Sequence, residues 1–221
     1  YLLYKKKLLT AQGSGEMGKV LLYVIMPVAI IRSYIQEFSM EYLYGFLISF
    51  AAAALALILA MAVSTLIFGR RSSIRQFSNA GFIGIPLVQM TLGEQAVFYV
   101  ASFVAILNIL QWTFGVYVIT KDKSAVSFKK IRTNPIVISF VIGILLFLLP
   151  IQVPVLLSDV IGTLASMNGP MAMIVLGAYL AQISMKELFT DKETYACAAV
   201  RPILIPLLTM LLLFLVPGQY A

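Results

Sequence analysis

Long apolar runs recur along almost the entire chain, each closed by charged or turn-forming residues. Bounded in that way, seven of them fall at 17–35, 43–68, 77–92, 96–120, 135–149, 156–183 and 195–216, after a stub at 1–4. Most approach the roughly 20 residues that a helix rising about 1.5 Å per residue needs to cross a hydrocarbon layer, while the third and fifth are shorter. Inside a bilayer a backbone N–H or C=O without a partner costs several kcal/mol, so each run is predicted to be helical unless protein or water shelters its backbone. The pattern therefore predicts an all-α integral membrane protein, with residues 1–221 forming a single transmembrane domain.

The polar positions between the runs carry a direction. Basic residues in short loops are retained on the cytoplasmic side. The first, third, fifth and seventh loops hold Lys5, Lys6, Lys7, Lys19; Arg70, Arg71, Arg75; Lys121, Lys123, Lys129, Lys130, Arg132; and Lys186, Lys192, Arg201, which are 15 of the 16 Lys and Arg. The alternate loops hold Arg32 with Glu37, Glu41, Glu94 and Asp159. This predicts a multi-pass protein of the cell membrane with the loop after the stub in the cytoplasm and 216–221 outside. One span more or fewer would scramble the alternation, so it supports the count of runs.

Composition narrows the function classes. The chain is 61% hydrophobic and 11% charged, against about 25% charged in a soluble domain. Its net charge of +7 does not point to nucleic acid, because the basic residues lie in separate loops rather than on one soluble face. With no His and one cysteine, Cys197, the sequence offers no internal disulfide and lacks the commonest metal ligand and general base. No metal site or cofactor is expected, and Ser, Asp and Lys form no recognisable catalytic dyad, so an enzyme is not expected either. The stub ends at Lys5–Lys7 without the apolar run of a signal peptide, and is read as the tail of a preceding span whose start is missing.

A repeat is visible between two runs. Met26-Pro27-Val28-Ala29-Ile30 in the first resembles Gly169-Pro170-Met171-Ala172-Met173 in the sixth, with the prolines 143 positions apart. The first run is read as outward and the sixth as inward, as an inverted repeat requires. The same offset pairs the second run with the seventh and carries the counterpart of Asn79–Pro86 just past Ala221. On this reading 1–120 holds the end of a first helix and the rest of one repeat, and 133–221 the first three helices of the other.

The third run carries the densest chemistry. Phe77-Ser78-Asn79-Ala80-Gly81-Phe82-Ile83-Gly84-Ile85-Pro86-Leu87 contains an amide, two glycines and a proline within an apolar stretch. Pro86 has no N–H, so the carbonyl of Phe82 loses its helical partner. Glycine permits unwinding and close approach. These residues predict a broken helix near mid-membrane, with N–H groups around Gly84–Leu87 free to receive an anion. The competing reading is a simple proline kink with glycines packed against neighbouring helices. Asn108 and Gln111 place further amides on the fourth run at helical spacing, and Asn168 precedes Pro170 in the sixth. Each is either a polar lining or an amide bonding between helices. Arg32, Arg201 and Asp159 lie near span ends and are read as interfacial anchors in preference to coupling groups.

The motif Asn79-Ala80-Gly81-Phe82-Ile83-Gly84-Ile85-Pro86-Leu87 resembles the fourth-helix motif of the auxin efflux carrier family, which includes plant carriers and bacterial malate permeases. The resemblance continues in order through Tyr4–Thr10, Val24–Pro27, Asn134-Pro135, Pro170–Gly177 and Arg201–Pro206. It implies ten helices in two inverted repeats with crossed broken helices, an architecture similar to that of the bile-acid symporters and incomplete in this sequence. Asn108, four places before Trp112, matches an amide that plant carriers have there.

Together these readings predict a permease for a small organic anion, a carboxylate as the resemblance implies, moved by alternating access. The expected substrate-binding residues are Asn79, Gly81, Gly84, Ile85, Pro86, Leu87, Asn108 and Gln111, and the expected scaffold residues Pro27, Asn168, Pro170 and Gly177. The coupling ion is left open between proton and sodium. The expected partners are the anion and the lipid bilayer, with a homodimer compatible and nucleic acid excluded. Two alternatives stand beside this reading: a sodium-coupled bile-acid-type symporter, and a membrane scaffold or sensor without transport.

Overall fold

The computed structural model describes residues 1–72, 80–117, 128–149, 151–183, 203 and 205–214. Within them the fold is helical: α1 (Leu2–Lys5), α2 (Ala11–Val20), α3 (Met26–Tyr34), α4 (Met40–Ser72), α5 (Ala80–Leu92), α6 (Glu94–Leu110), α7 (Phe128–Arg132), α8 (Pro135–Leu148), α9 (Val155–Ser166), α10 (Asn168–Gln182) and α11 (Ile205–Phe214). A wider π-helical turn, Leu21–Ile25, joins α2 to α3, and a second, Gln111–Gly115, continues α6. By length and apolarity, Ala11–Tyr34, Met40–Val63 and Val155–Gln182 are long enough to cross a membrane, and Glu94–Leu110 and Pro135–Leu148 are shorter apolar helices.

The first run proves longer than its apolar core because Thr10 caps α2, its Oγ1 accepting from the N–H of Gly13 at 3.0 Å. The added turns carry small residues, and these are used for packing. Ser14 accepts from Nε2 of Gln182 on α10 at 3.2 Å, and a Cβ on Gly18 would lie 2.8 Å from the Tyr179 hydroxyl. Lipid supplies no hydrophobic drive between helices, so close approach over small residues is what holds such a pair. At the other end of the chain order, Asn134 caps α8, with Pro135 at the first helical position where its missing N–H costs nothing.

Two features differ from the sequence expectation. The expected break between Gly81 and Pro86 is absent: α5 runs as α-helix from Ala80 to Leu92 with Pro86 inside it. Unwinding in an apolar setting would strip several backbone groups of partners, whereas a helix that keeps its course gives up the Pro86 hydrogen bond alone. Irregularity falls instead at Leu21–Ile25, two residues before Pro27, and at the Met167 turn, three residues before Pro170.

The two irregular spans lie side by side in opposite directions, α9 against α3 and α10 against α2. α8 also packs on α3, α5 and α6 form a hairpin through Gly93, and α4 packs on α6 and α11. The core is centred on Tyr34, whose hydroxyl donates to the Phe98 carbonyl at 3.1 Å and whose ring meets those of Phe46, Phe98 and Phe140. Gly143 fits beneath that ring, where a Cβ would lie 2.6 Å from Tyr34 Cδ2. Outward faces are apolar, with Leu47, Leu55 and Ile58 on α4 and Ile138, Val141 and Leu145 on α8 exposed. That is the arrangement expected of a bundle solvated by lipid.

Candidate functional site

Two amide pairs tie together helices from distant parts of the chain. Asn168, the first residue of α10, is 0% exposed. Its Nδ2 donates to Oε1 of Gln89 on α5 at 3.3 Å, while its own Oδ1 is buried without a hydrogen-bond partner among the described residues. A buried amide oxygen left unpaired costs about 1–3 kcal/mol, and hydrocarbon offers nothing to pair it. The pair lies where the start of α10 abuts α5, since a Cβ on Gly169 would come 3.0 Å from Met90 Sδ. Pro86, one turn before Gln89, is fully buried.

The second pair stands on α6 and α8. Asn134 Nδ2 donates to Asn108 Oδ1 at 3.3 Å, and Asn108 Nδ2 donates to the carbonyl of Val104 at 2.8 Å. The cap of α8 is thereby tied to the residues that lead into the second π-helical turn. Thr113 within that turn donates to the carbonyl of Ile109 at 2.8 Å. Side-chain donors on the i−4 carbonyls compete with the backbone ladder, which accounts for the widened turn. Gln111 begins it and is half-buried.

Asn79 lies outside the described residues. Gly81 and Gly84 are within α5, Ile85 is buried in the core and Leu87 is exposed. Because the backbone there is helical, the N–H groups near Gly84–Leu87 are not a free anion-receiving end, and that expected role is withdrawn. Pro27 is buried and Pro170 exposed; Gly177 closely faces the backbone nitrogen of Tyr1, 2.7 Å from where its Cβ would be. Sequence reading missed Gln89 and the pairing role of Asn134. The signal for Gln89 was present, an amide in an apolar run three residues after a proline.

A charged cluster forms at the far end of α3. Arg32 Nε lies 3.7 Å from Oε2 of Glu94, at the first position of α6, and Arg32 Nη1 donates to Oγ of Ser158 on α9 at 3.4 Å. At the same end an open cavity of about 710 Å³ is lined by Gln36, Glu37 and Phe38 on one side and Phe147, Leu149 and Gln152 on the other. Neither amide pair lines it.

A family model described as a membrane transport protein matches residues 1–219. Neither the curated proteins nor the solved structures contain a match to the chain.

Proposed function

This chain belongs to the membrane transport protein family, and from that premise we propose that it carries a small organic anion, a carboxylate, through the membrane by alternating access. The observation that carries the reading is Asn168, a fully buried amide at the turn within a long apolar span, whose oxygen has no partner among the described residues. A polar group kept at such a place at a cost to stability is explained by a polar route through the bundle. The carboxylate class rests on the resemblance of residues 79–87 to the auxin efflux and malate permease motif.

In this reading Asn79 and Asn108 orient the carboxylate. Asn108 stands on α6, which packs on α5 in the hairpin through Gly93. Pro27 and Pro170 position the two irregular spans, and the inverted repeat of 1–120 with 133–221 supplies the two arrangements that alternate. In support, the spans carrying these prolines pack together in opposite directions, and α4 and α11, from the other paired runs, also touch. The stub loop faces the cytoplasm of the cell membrane, and the coupling ion is a proton or sodium. The family match does not favour the bile-acid-type alternative.

The test is uptake of labelled malate, succinate and indole-3-acetate by proteoliposomes holding the full-length protein, under imposed proton or sodium gradients. Saturable uptake that unlabelled carboxylate inhibits supports the proposal. A scaffold or sensor gives no flux above protein-free vesicles.

A further inference from the structure

We propose that Arg32 is a recognition site for the carboxylate of the carried anion, and that Glu94 holds it as a resident stand-in until the anion displaces it. The inference rests on the transport reading above and adds a site at the end of the bundle assigned to the outside.

A guanidinium has five donors in a planar fork that matches a carboxylate two bonds at a time. Arg32 uses that fork poorly. Its only hydrogen bond among the described residues is to Ser158, at the long distance of 3.4 Å. Its Nε is buried and has no hydrogen-bond partner among the described residues. The Glu94 oxygen that faces Nε stands at 3.7 Å, well beyond the roughly 2.7–2.9 Å of a formed charge-assisted bond. The cation in the last turn of α3 thus keeps a buried Nε donor that the facing carboxylate oxygen does not meet at bonding distance.

Glu94 is suited to yield. It occupies the first turn of α6, where the helix N-terminus favours a negative charge whether or not Arg32 is beside it. Its side chain is 50% exposed, against 31% for Arg32, so an incoming carboxylate can reach the pair from solvent. On the α9 side Gly162 packs near Nε, where a Cβ would make ordinary van der Waals contact at 3.7 Å. Three helices meet at the site: α3 brings the cation, α6 the exchangeable carboxylate and α9 the hydroxyl. The α5–α6 hairpin turns directly before Glu94, so exchange on Arg32 releases the ion pair between the hairpin tip and α3, while the Tyr34 bond to the Phe98 carbonyl still holds α6.

The experiment compares uptake of labelled malate by proteoliposomes of wild-type, Arg32→Gln, Arg32→Lys and Glu94→Gln protein and of the charge swap Arg32→Glu with Glu94→Arg. Displacement predicts asymmetry. Arg32→Gln raises KM about tenfold or more, as loss of a charge-assisted pair does, and Arg32→Lys falls between because it keeps charge without the fork. Glu94→Gln, conservative in shape, lowers KM by removing the competitor, and the swap stays impaired. Equal rises in KM for Arg32→Gln and Glu94→Gln, or recovery in the swap, identify a purely structural ion pair and overturn the inference. If the wild type takes up malate and the variants behave in that symmetrical way, transport stands and this site falls. If wild-type protein moves none of malate, succinate and indole-3-acetate, the transport reading falls and takes this inference with it.

Discussion

Asn134 hydrogen-bonds with both ends of its amide at once. Its Nδ2 reaches Asn108 Oδ1 at 3.3 Å, and its Oδ1 accepts from the N–H groups of Ile136 at 2.9 Å and Val137 at 3.4 Å. One side chain therefore caps α8 and fixes the orientation of the amide proposed to meet substrate on α6.

Asn134→Ala is expected to destabilise the protein by about 1–2 kcal/mol, the range for a lost N-cap. Asn134→Asp keeps the cap acceptor but loses the donor to Asn108, so it retains most of the stability and loses transport. Thermal unfolding in detergent beside an uptake assay separates the two effects.

Replacement of Gly143 by Ala drives a methyl to 2.6 Å from the Tyr34 ring. Overpacking of this kind costs about 1–3 kcal/mol. Tyr34→Phe removes the bond to the Phe98 carbonyl and costs about 1 kcal/mol, with the ring contacts unchanged. A melting series is expected to place Gly143→Ala at or below Tyr34→Phe.

Asn168→Leu exchanges an amide with an unpaired oxygen for an apolar side chain of similar size. The change removes the unpaired oxygen but also strips Gln89 Oε1 of its donor, so a loss of about 1–3 kcal/mol is expected. Uptake is expected to fall at least tenfold. A strongly destabilised but fully active variant would assign Asn168 to packing.

Much of this fold is legible in the pattern of apolar runs. The runs at 135–149 and 156–183 correspond to α8 and to α9 with α10, within a residue at each end. What the pattern does not contain is how the backbone resolves a proline. Pro27, Pro86 and Pro170 each remove one N–H, yet a π-helical turn stands before the first, the second stays within a continuous helix and the third follows a turn. The outcome depends on neighbours: Pro86 is fully buried in the core beside Ile85. The amides divide in the same way. Asn108 and Asn168 stand out as polar residues in apolar runs, but their partners Asn134 and Gln89 lie 26 and 79 positions away and emerge only from the packing.

The central claim is that a carboxylate crosses the membrane under the control of Asn79. Its most direct measurement is uptake of labelled malate, succinate and indole-3-acetate by proteoliposomes of full-length wild-type and Asn79→Ala protein, matched for folded protein. The account predicts saturable wild-type uptake of at least one carboxylate, abolished in the variant. Wild-type uptake no greater than that of empty vesicles, or equal uptake by the variant, would contradict it.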